Sequence, residues 1–220
     1  MICESLWSIT MAETYPLALP THTGIAQIRL LARDVVGVST SPFNLKQQVF
    51  RHPGQRWEAD ITLPPMKRED AEQWAAFLLR LRGQYGTFLL GDPSASTPRG
   101  SAATAPGTPV VNGADQTGDE LDIDGIPTSG GDYLKAGDYI QLGSGATATL
   151  HKVLEDVAID GSGEATLNLW PKVRTAPADD ASITVSGAQG VFRLAANEVN
   201  WDINQATVFG ITFGAVEALS

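Results

Sequence analysis

Cysteine is almost absent from the sequence: Cys3 is the single one, which excludes an intrachain disulfide and a metal site built from several thiolates. Charged residues are scarce too, at 18% of 220 residues, and acidic residues outnumber basic ones 25 to 15. A formal net charge of −10 gives no positive surface for nucleic acid or for an anionic membrane. No apolar run approaches the roughly 20 residues of a membrane-spanning helix. We therefore expect neither a nucleic-acid binder, nor a disulfide scaffold, nor a membrane protein.

The first ten residues, MICESLWSIT, lack the basic segment of a secretory signal, and Glu4 interrupts their apolar run. We expect cytoplasmic synthesis without export. Two natural starts are open, Met1 and Met11, because MAETYPLALP also resembles an ordinary beginning of a chain.

Turn-forming residues are abundant, with 22 glycines and 13 prolines, and hydrophobic residues reach 43%. Many turn formers and few charges favour a mainly β protein. A chain of 220 residues has room for one large domain or two small ones. The sequence thus predicts β-sheet layers around a substantial core.

The first third of the chain contains two predicted strands, 24–38 and 47–63, and one predicted helix, 66–82. RWEADITLP alternates apolar and polar residues with a period of two, which is typical of a half-buried antiparallel strand. The helix has apolar residues at spacings of three and four, acids in its first turns and arginines in its last, and Gly83 as a cap. GTFLLGDP follows as a short buried strand. We expect the helix to dock on a sheet through a core of Trp74, Phe77 and Leu78, with Trp57 and Trp201.

The segment 98–190 differs from the rest of the chain. It holds 14 of the 22 glycines and 13 acidic against 5 basic residues. Short strands are predicted there at 120–123, 139–142, 147–154, 165–169 and 182–185, a spacing that suits a small sandwich or barrel. The run SASTPRGSAATAPGTP before them is typical of a mobile connection.

Beyond Gly190 the composition again resembles that of the first third, with two strands in a terminal hairpin. We therefore predict a β-sandwich-like base domain with one helix, formed by residues 1–97 and 191–220. A small acidic β-domain of sandwich or barrel type, residues 98–190, is inserted into it.

Sequence motifs for catalysis and metal binding are missing. The three histidines, His22, His52 and His151, have no ligand partner at helical spacing, and His52 before Pro53 is expected in a turn. The chain has no P-loop, no dinucleotide fingerprint and no GxSxG elbow. We expect no enzymatic activity and no cofactor.

The densest group of carboxylates is DELDIDG, where Asp119, Glu120, Asp122 and Asp124 precede Gly125. Alternating acids before a glycine faintly resemble a calcium loop, but the later bidentate acid is missing. We favour a solvated acidic turn with Asp122 and Asp124 on the exposed face of a strand, and predict no metal.

Several segments, in this order, resemble one family: QRWEADITLPPM, EDAEQWAAFLLRLRG, GTFLLGDP, LKAGDYIQLG, GVFRLAANEVNWDI and VFGITFGAVEAL. Together they are similar to the distal tail proteins of phages with long non-contractile tails, which also occur in prophages. The resemblance covers most of residues 40–219, and none of its segments has a unique chemical signature.

The resemblance implies a base domain of β-sandwich type with a helix, often with a second β-domain facing outward. It implies a virion protein of the tail tip or baseplate hub that forms a ring, commonly a hexamer. The ring joins the tail tube to the tip hub and the tape-measure protein and lets the genome pass. The resemblance implies no catalytic residues in this sequence. A chain poor in lysine and arginine suits such a conduit, because each cation facing the lumen would attract phosphate.

Two other functions are open. The inserted domain is the candidate for a carbohydrate- or receptor-binding module used in host attachment, with Tyr133, Tyr139 and Trp170 as candidate glycan contacts. A tail-tip hydrolase is the other alternative, and it has no nucleophile–base pair or metal set in its favour.

Overall fold

The computed structural model describes residues 13–21, 24–203 and 208–219. Both candidate starts, Cys3 and His22 lie outside these ranges. The protein is mainly β with a single helix among the described residues, as predicted. No helix in those ranges is long and apolar enough to cross a membrane.

The helix α1 spans Arg68–Arg80. The strands, in chain order, are β1 (Gln27–Thr40), β2 (Gln47–Thr62), β3 (Met66–Lys67), β4 (Phe88–Leu90), β5 (Val110–Val111), β6 (Gly118–Asp124), β7 (Asp132–Leu134), β8 (Tyr139–Leu142), β9 (Thr149–Val153), β10 (Val157–Ala158), β11 (Ala165–Val173), β12 (Ile183–Thr184), β13 (Gly190–Leu194), β14 (Trp201–Ile203) and β15 (Val208–Glu217).

The first sheet combines strands from both ends of the described chain in the order β1-β2-β15-β13-β4, with β3 and β14 paired to β15. The named pairs are antiparallel. The predicted alternation in β2 is confirmed: Trp57, Ala59 and Ile61 are buried, and Asp60 and Thr62 are exposed. The predicted antiparallel pairing at the end of the chain is present, but the first of its two predicted strands is divided into β13 and β14, and both pair with β15.

The helix is two residues shorter at each end than predicted. Met66 and Lys67 form β3 instead, because they pair with the start of β15. At the other end Leu81 caps the helix, and both Arg82 and Gly83 have positive φ. The left-handed turn begins one residue before the predicted glycine cap.

The second sheet is a small barrel that nearly closes. Its order is β12-β8-β9-β11-β6-β5, and the two end strands meet. The backbone N–H of Val111 donates to the carbonyl of Ala181 at 3.0 Å, and the N–H of Ile183 donates to the carbonyl of Pro109 at 3.0 Å. A separate two-stranded ladder joins β7 to β10. Closure leaves few free edges on this unit.

Two groups of buried side chains form the interior. The largest fully buried side chains of the first group are Trp74, Phe88, Phe192, Ile61 and Leu78, and those of the second are Tyr133, Leu121, Ile123, Leu134 and Ile140. The barrel strands β8 and β9 also contribute Tyr139 and Leu150 to the first group. The division of the chain at 97/98 and 190/191 stays a prediction.

The predicted mobile connection, residues 94–109, is mostly exposed but packs against the barrel around residues 98–102. Ala102 is 1% exposed, and Arg99 donates its backbone N–H to the carboxylate of Asp138 at 3.0 Å. Gly100 lies so close to the chain that a Cβ there would overlap the carbonyl oxygen of Tyr133. The contacts of Arg99, Gly100 and Ala102 attach this part of the connection to the barrel, and the mobility of the remainder stays a prediction.

Candidate functional site

A two-stranded arm extends from the first sheet. We define the arm as residues 35–54, the distal parts of β1 and β2 with the connection between them. The register of the hairpin shifts between Asp34 and Val36, so that three residues of β2 (52–54) lie opposite one residue of β1. Within the arm only Gly37 and Ser41 are half-buried, and every other residue is exposed.

The arm carries most of the large exposed apolar side chains of the described chain. They are Val35, Val36, Val38, Phe43, Leu45, Val49 and Phe50. Outside the arm, the described residues expose only Leu79, Tyr85, Leu154 and Leu219 in this way. The exposed apolar surface is therefore concentrated on one projecting element.

The tip of the arm holds an aromatic side chain in water. Phe43 is 96% exposed and Leu45 is 76% exposed. The loop around them is hydrogen-bonded: the backbone N–H of Ser41 donates to the carbonyl of Lys46 at 2.9 Å, and that of Lys46 donates to the Asn44 side chain at 3.1 Å. Leu45 has a positive φ of 57°. An ordered loop that exposes a phenyl ring is typical of a surface used for contact.

The outer edge of β1 is open. β1 is an edge strand of the first sheet, and within the described ranges it pairs with β2 alone. Its distal residues, VVGVST, contain neither a charge nor a proline, the residues that usually protect such an edge. The free backbone groups of this edge can therefore accept another strand.

The arm also differs from the rest of the chain in charge. It contains Lys46 and Arg51 and no acidic residue, so the remaining chain has a formal charge of −12. Arg51 pairs with Asp119 on β6, with N–O distances of 3.0 and 3.1 Å. One cation of the arm is therefore bound to an acidic strand of the barrel, and Lys46 lies further out toward the tip.

The root of the arm is fastened to the barrel by polar contacts. The amide of Gln55 donates to Asp34 at 2.8 Å and accepts the backbone N–H of Lys172 at 2.9 Å. The indole N–H of Trp170 lies 3.2 Å from both carboxylate oxygens of Asp34. Arg174 donates to the backbone carbonyl of Gln55 at 2.7 Å. These bonds fix where the arm leaves the body.

A cleft of about 330 Å³ opens beside these contacts, and we call it the root cleft. Its walls come from 142–151 and 173–181 of the barrel and from Val191 and 217–219 of the first sheet. The lining consists mainly of alanine, valine, leucine and proline side chains. Its polar groups include His151, Thr149 and the ion pair between Arg174 and Glu217. The arm contributes no residue to it.

His151 is neutral in this setting. Its Nδ1 lies 2.6 Å from the carbonyl of Pro171, an acceptor, so Nδ1 carries the proton and Nε2 accepts from the Thr149 hydroxyl at 2.9 Å. Burial lowers the pKa of His151 from 6.5 to about 4, and the positive charge of Arg174 also acts to lower the pKa. The imidazole therefore serves as a hydrogen-bonded part of the cleft wall.

The structure buries the three helical members of the predicted docking core. Trp74, Phe77 and Leu78 are all at most 4% exposed. The Trp74 ring lies 5.8 Å from that of Phe77, edge to face, and 6.2 Å from Phe213 on β15. The Nε1 of Trp74 is buried and has no hydrogen-bond partner among the described residues.

The other two predicted core tryptophans have different surroundings. Trp57 is buried, but its aromatic neighbours are Tyr139 at 6.0 Å and Trp170 at 4.5 Å, and its Nε1 donates to the carbonyl of Leu150 at 2.9 Å. It therefore joins the first sheet to the barrel. Trp201 on β14 is only partly buried against the first core.

Burial removes the two tyrosines from the candidate glycan contacts. Tyr133 is 0% exposed, its hydroxyl donates to the carbonyl of Pro106 at 2.6 Å, and burial raises its pKa to about 12. Tyr139 is 4% exposed, with the ammonium of Lys152 4.4 Å from its ring centroid. Trp170 is half-buried with its ring against Trp57. Neither tyrosine offers a free ring face for stacking on a sugar.

The acidic residues of DELDIDG lie in β6 rather than in a turn, and Gly125 follows the end of the strand. Asp119 pairs with Arg51, and Asp122, which is exposed as expected, accepts a hydrogen bond from the Thr166 hydroxyl at 2.6 Å. Asp124 is half-buried. No three His, Cys, Asp or Glu side chains of the described residues come together in a way that could hold a metal ion.

His52, which we expected in a turn, lies within β2 instead. The register shift at the root of the arm accommodates it together with the following Pro53, because neither residue has a ladder partner on β1. A proline at a bulge keeps the strand intact, which is why the turn prediction was wrong.

The arm and the root cleft were not predicted. A signal for the arm was present, because strands of 14 and 16 residues exceed the usual 5–6 and extend beyond any body that could cover them. The cleft had no such signal, since its walls come from segments distant in sequence. The chain matches none of the protein-family models compared with it, and no curated protein matches it.

Proposed function

We propose that the protein is a structural subunit of a phage tail tip, a distal tail protein that assembles through its arm into a ring. The resemblance of its sequence segments to that family supports the location and a ring of six. Such a ring joins the tail tube to the tip hub and tape-measure protein and leaves a passage for the genome.

The observation that carries the proposal is the exposed apolar arm. An extended hairpin that exposes seven large apolar side chains and an open β edge to water is energetically unfavourable in a monomer. Association with further copies removes both the apolar surface and the free backbone groups from water. A closed ring does so for every copy, because each arm then has a partner.

The charges of the chain support the same proposal. The arm is cationic and the remainder is strongly acidic, so the arm of one copy is attracted to the body of another. An acidic body also suits a channel that DNA crosses without binding.

Assembly is tested by light scattering of the purified chain over a range of concentrations, with negative-stain images of the same fractions. We expect open rings, and we expect Val49→Asp to give folded monomers with the wild-type far-ultraviolet circular dichroism spectrum, because Val49 is 59% exposed on the arm. Leu154→Asp, at an exposed apolar site off the arm, is the matched control and should still assemble. A wild-type chain that stays monomeric at every concentration would contradict the proposal.

The location is tested separately by immunogold labelling of tails from an induced lysate of the strain that encodes the chain. Gold at the distal end of long flexible tails supports a tail-tip protein. Particles without label, in a lysate where the chain is detected, would contradict it.

A further inference from the structure

The tip of the arm and the root cleft are complementary features that the same chain cannot bring together. We propose that the tip of one copy, Phe43 with Leu45, seats in the root cleft of the next copy. This inference rests on the proposed function and names the contact through which its subunits join.

The cleft has the size and lining that the tip requires. A cavity of about 150 Å³ lined by aliphatic and aromatic side chains binds benzene, so a cleft of about 330 Å³ has room for a phenyl ring and part of a leucine. Its lining includes Val173 and Val191, both largely buried. The Arg174–Glu217 pair is already hydrogen-bonded, so an apolar guest leaves no charge without a partner.

The tip does not reach the cleft of its own chain. Arg174, in the cleft wall, touches Gln55 at the root of the arm. From the root pair Asp34–Gln55 to the last pair Thr40–Gln47, β1 advances six residues, about 20 Å at 3.3 Å per residue. The ion pair between Arg51 and Asp119 fixes the arm close to its root, because Arg51 pairs with Val36, two residues beyond Asp34. The tip therefore lies about 20 Å along the arm from the root that borders the cleft, and no arm residue lines that cleft.

Charges around the two features match. Lys46 is exposed at the tip beside Leu45. Asp179 and Asp180 are exposed next to Ala178 and Ala181, which line the cleft. A tip that enters the cleft brings its ammonium group toward these carboxylates, which favours the encounter and the orientation of the tip.

A contact between two different surfaces of the same chain is heterologous. Each copy then offers one tip and one cleft, and copies join head to tail until the rotation between neighbours closes the assembly. Every tip in a closed ring occupies a cleft, and none is left in water. This contact predicts a ring rather than a symmetric dimer.

The test uses two full-length variants that damage opposite sides of the contact. Phe43→Ser removes the tip, and Ala178→Trp fills the mouth of the cleft; both positions are exposed, so each variant should stay folded, with the wild-type far-ultraviolet circular dichroism spectrum and a cooperative melt. We expect each variant alone to be monomeric. Mixed in equal amounts they should form a complex of twice the monomer mass and no larger, because one intact tip and one intact cleft remain.

The outcomes separate this inference from the proposed function. If the wild type forms rings and the two variants do as well, the tip contact is overturned and the ring stands. If both variants are monomeric and their mixture also stays monomeric, the tip and the cleft do not bind each other, and the inference is overturned. A wild type that never assembles overturns the proposed ring together with the contact.

Discussion

Arg174 and Glu217, which lie 43 residues apart in the chain, form a two-pronged ion pair at the junction of the barrel and the first sheet. The N–O distances are 2.8 and 3.1 Å, and the Glu217 carboxylate also accepts the backbone N–H of Trp57 at 2.9 Å. Glu217 is 6% exposed. The pair joins the end of β11 to the end of β15, so it holds together two units whose strands are otherwise in separate sheets.

Removing one member of this pair should be strongly destabilising. Arg174→Met leaves the Glu217 carboxylate buried without its cation, and we expect the free energy of unfolding to fall by about 3–5 kcal/mol. Urea denaturation measures the loss. Arg33→Met, which breaks the exposed pair between Arg33 and Glu58, is the control and should change stability little. Equal effects of the two variants would contradict the structural role given to Arg174.

Trp74 should contribute strongly to stability through the docking of the helix. Trp74→Ala is expected to lower the free energy of unfolding by about 3–5 kcal/mol, the usual range for a buried aromatic residue. Trp74→Phe should cost clearly less, because it keeps a ring against Phe213 and deletes an indole N–H that has no partner. Thermal melts distinguish these results, with Tyr85→Ala at an exposed aromatic residue as the control. A Trp74→Ala melt that overlays the wild type would disprove the docking.

Stability should fall between neutral and mildly acidic pH because of His151. In the unfolded chain this histidine binds a proton below about pH 6.5, whereas in the fold its pKa is about 4. The unfolded state therefore takes up a proton that the folded state does not, and stability decreases as pH falls from 6.5 to 4. At pH 5 the loss is about 2 kcal/mol.

Denaturation at pH 7 and pH 5 checks this dependence on pH. His151→Gln should show a smaller difference between the two pH values than the wild type. His52→Gln, at an exposed histidine on the arm, should retain the wild-type difference. If His151→Gln retained it too, another group would be responsible.

Gly100 should not accept even a methyl group. A Cβ at this position would overlap the Tyr133 carbonyl oxygen, which is backbone and has little freedom to move. We expect Gly100→Ala to lower the melting temperature by several degrees, as steric overlap in a packed region costs about 1–3 kcal/mol. Gly210→Ala, where a Cβ meets nothing within 4 Å, is the matched control. An unchanged melt for Gly100→Ala would mean that residues 94–109 are free to shift.

The helix and β2 could be predicted from sequence because each has one apolar and one polar face. Burial of Trp74 and Ile61 follows directly from a period of about 3.6 or 2. The barrel strands could be placed by their turn signals. Closure of the barrel could not be predicted, because it depends on Val110 meeting Ser182, which is distant in the sequence.

Exposure was harder to predict than secondary structure. Tyr133 and Tyr139 occupy strand positions that are inward only because other segments, around Pro106 and Trp57, cover them. The apolar residues of the arm have the composition of a core strand, and only their distance from the body leaves them in water. Alternation along one strand shows which residues share a face and does not show what lies against that face.

The register shift at the root affects the direction in which the arm points but not which side chains lie on each of its faces. Residues 52–54 face a single residue of β1, so β2 is longer there by an even number of residues, and the side chains beyond keep their faces. Bulges of this kind bend and twist a hairpin, so gain or loss of a residue pair would re-aim the arm while Phe43 and Val49 keep their places on it. In a ring built by such arms, the angle between neighbouring subunits, and with it the diameter of the opening, can evolve separately from the chemistry of the contact.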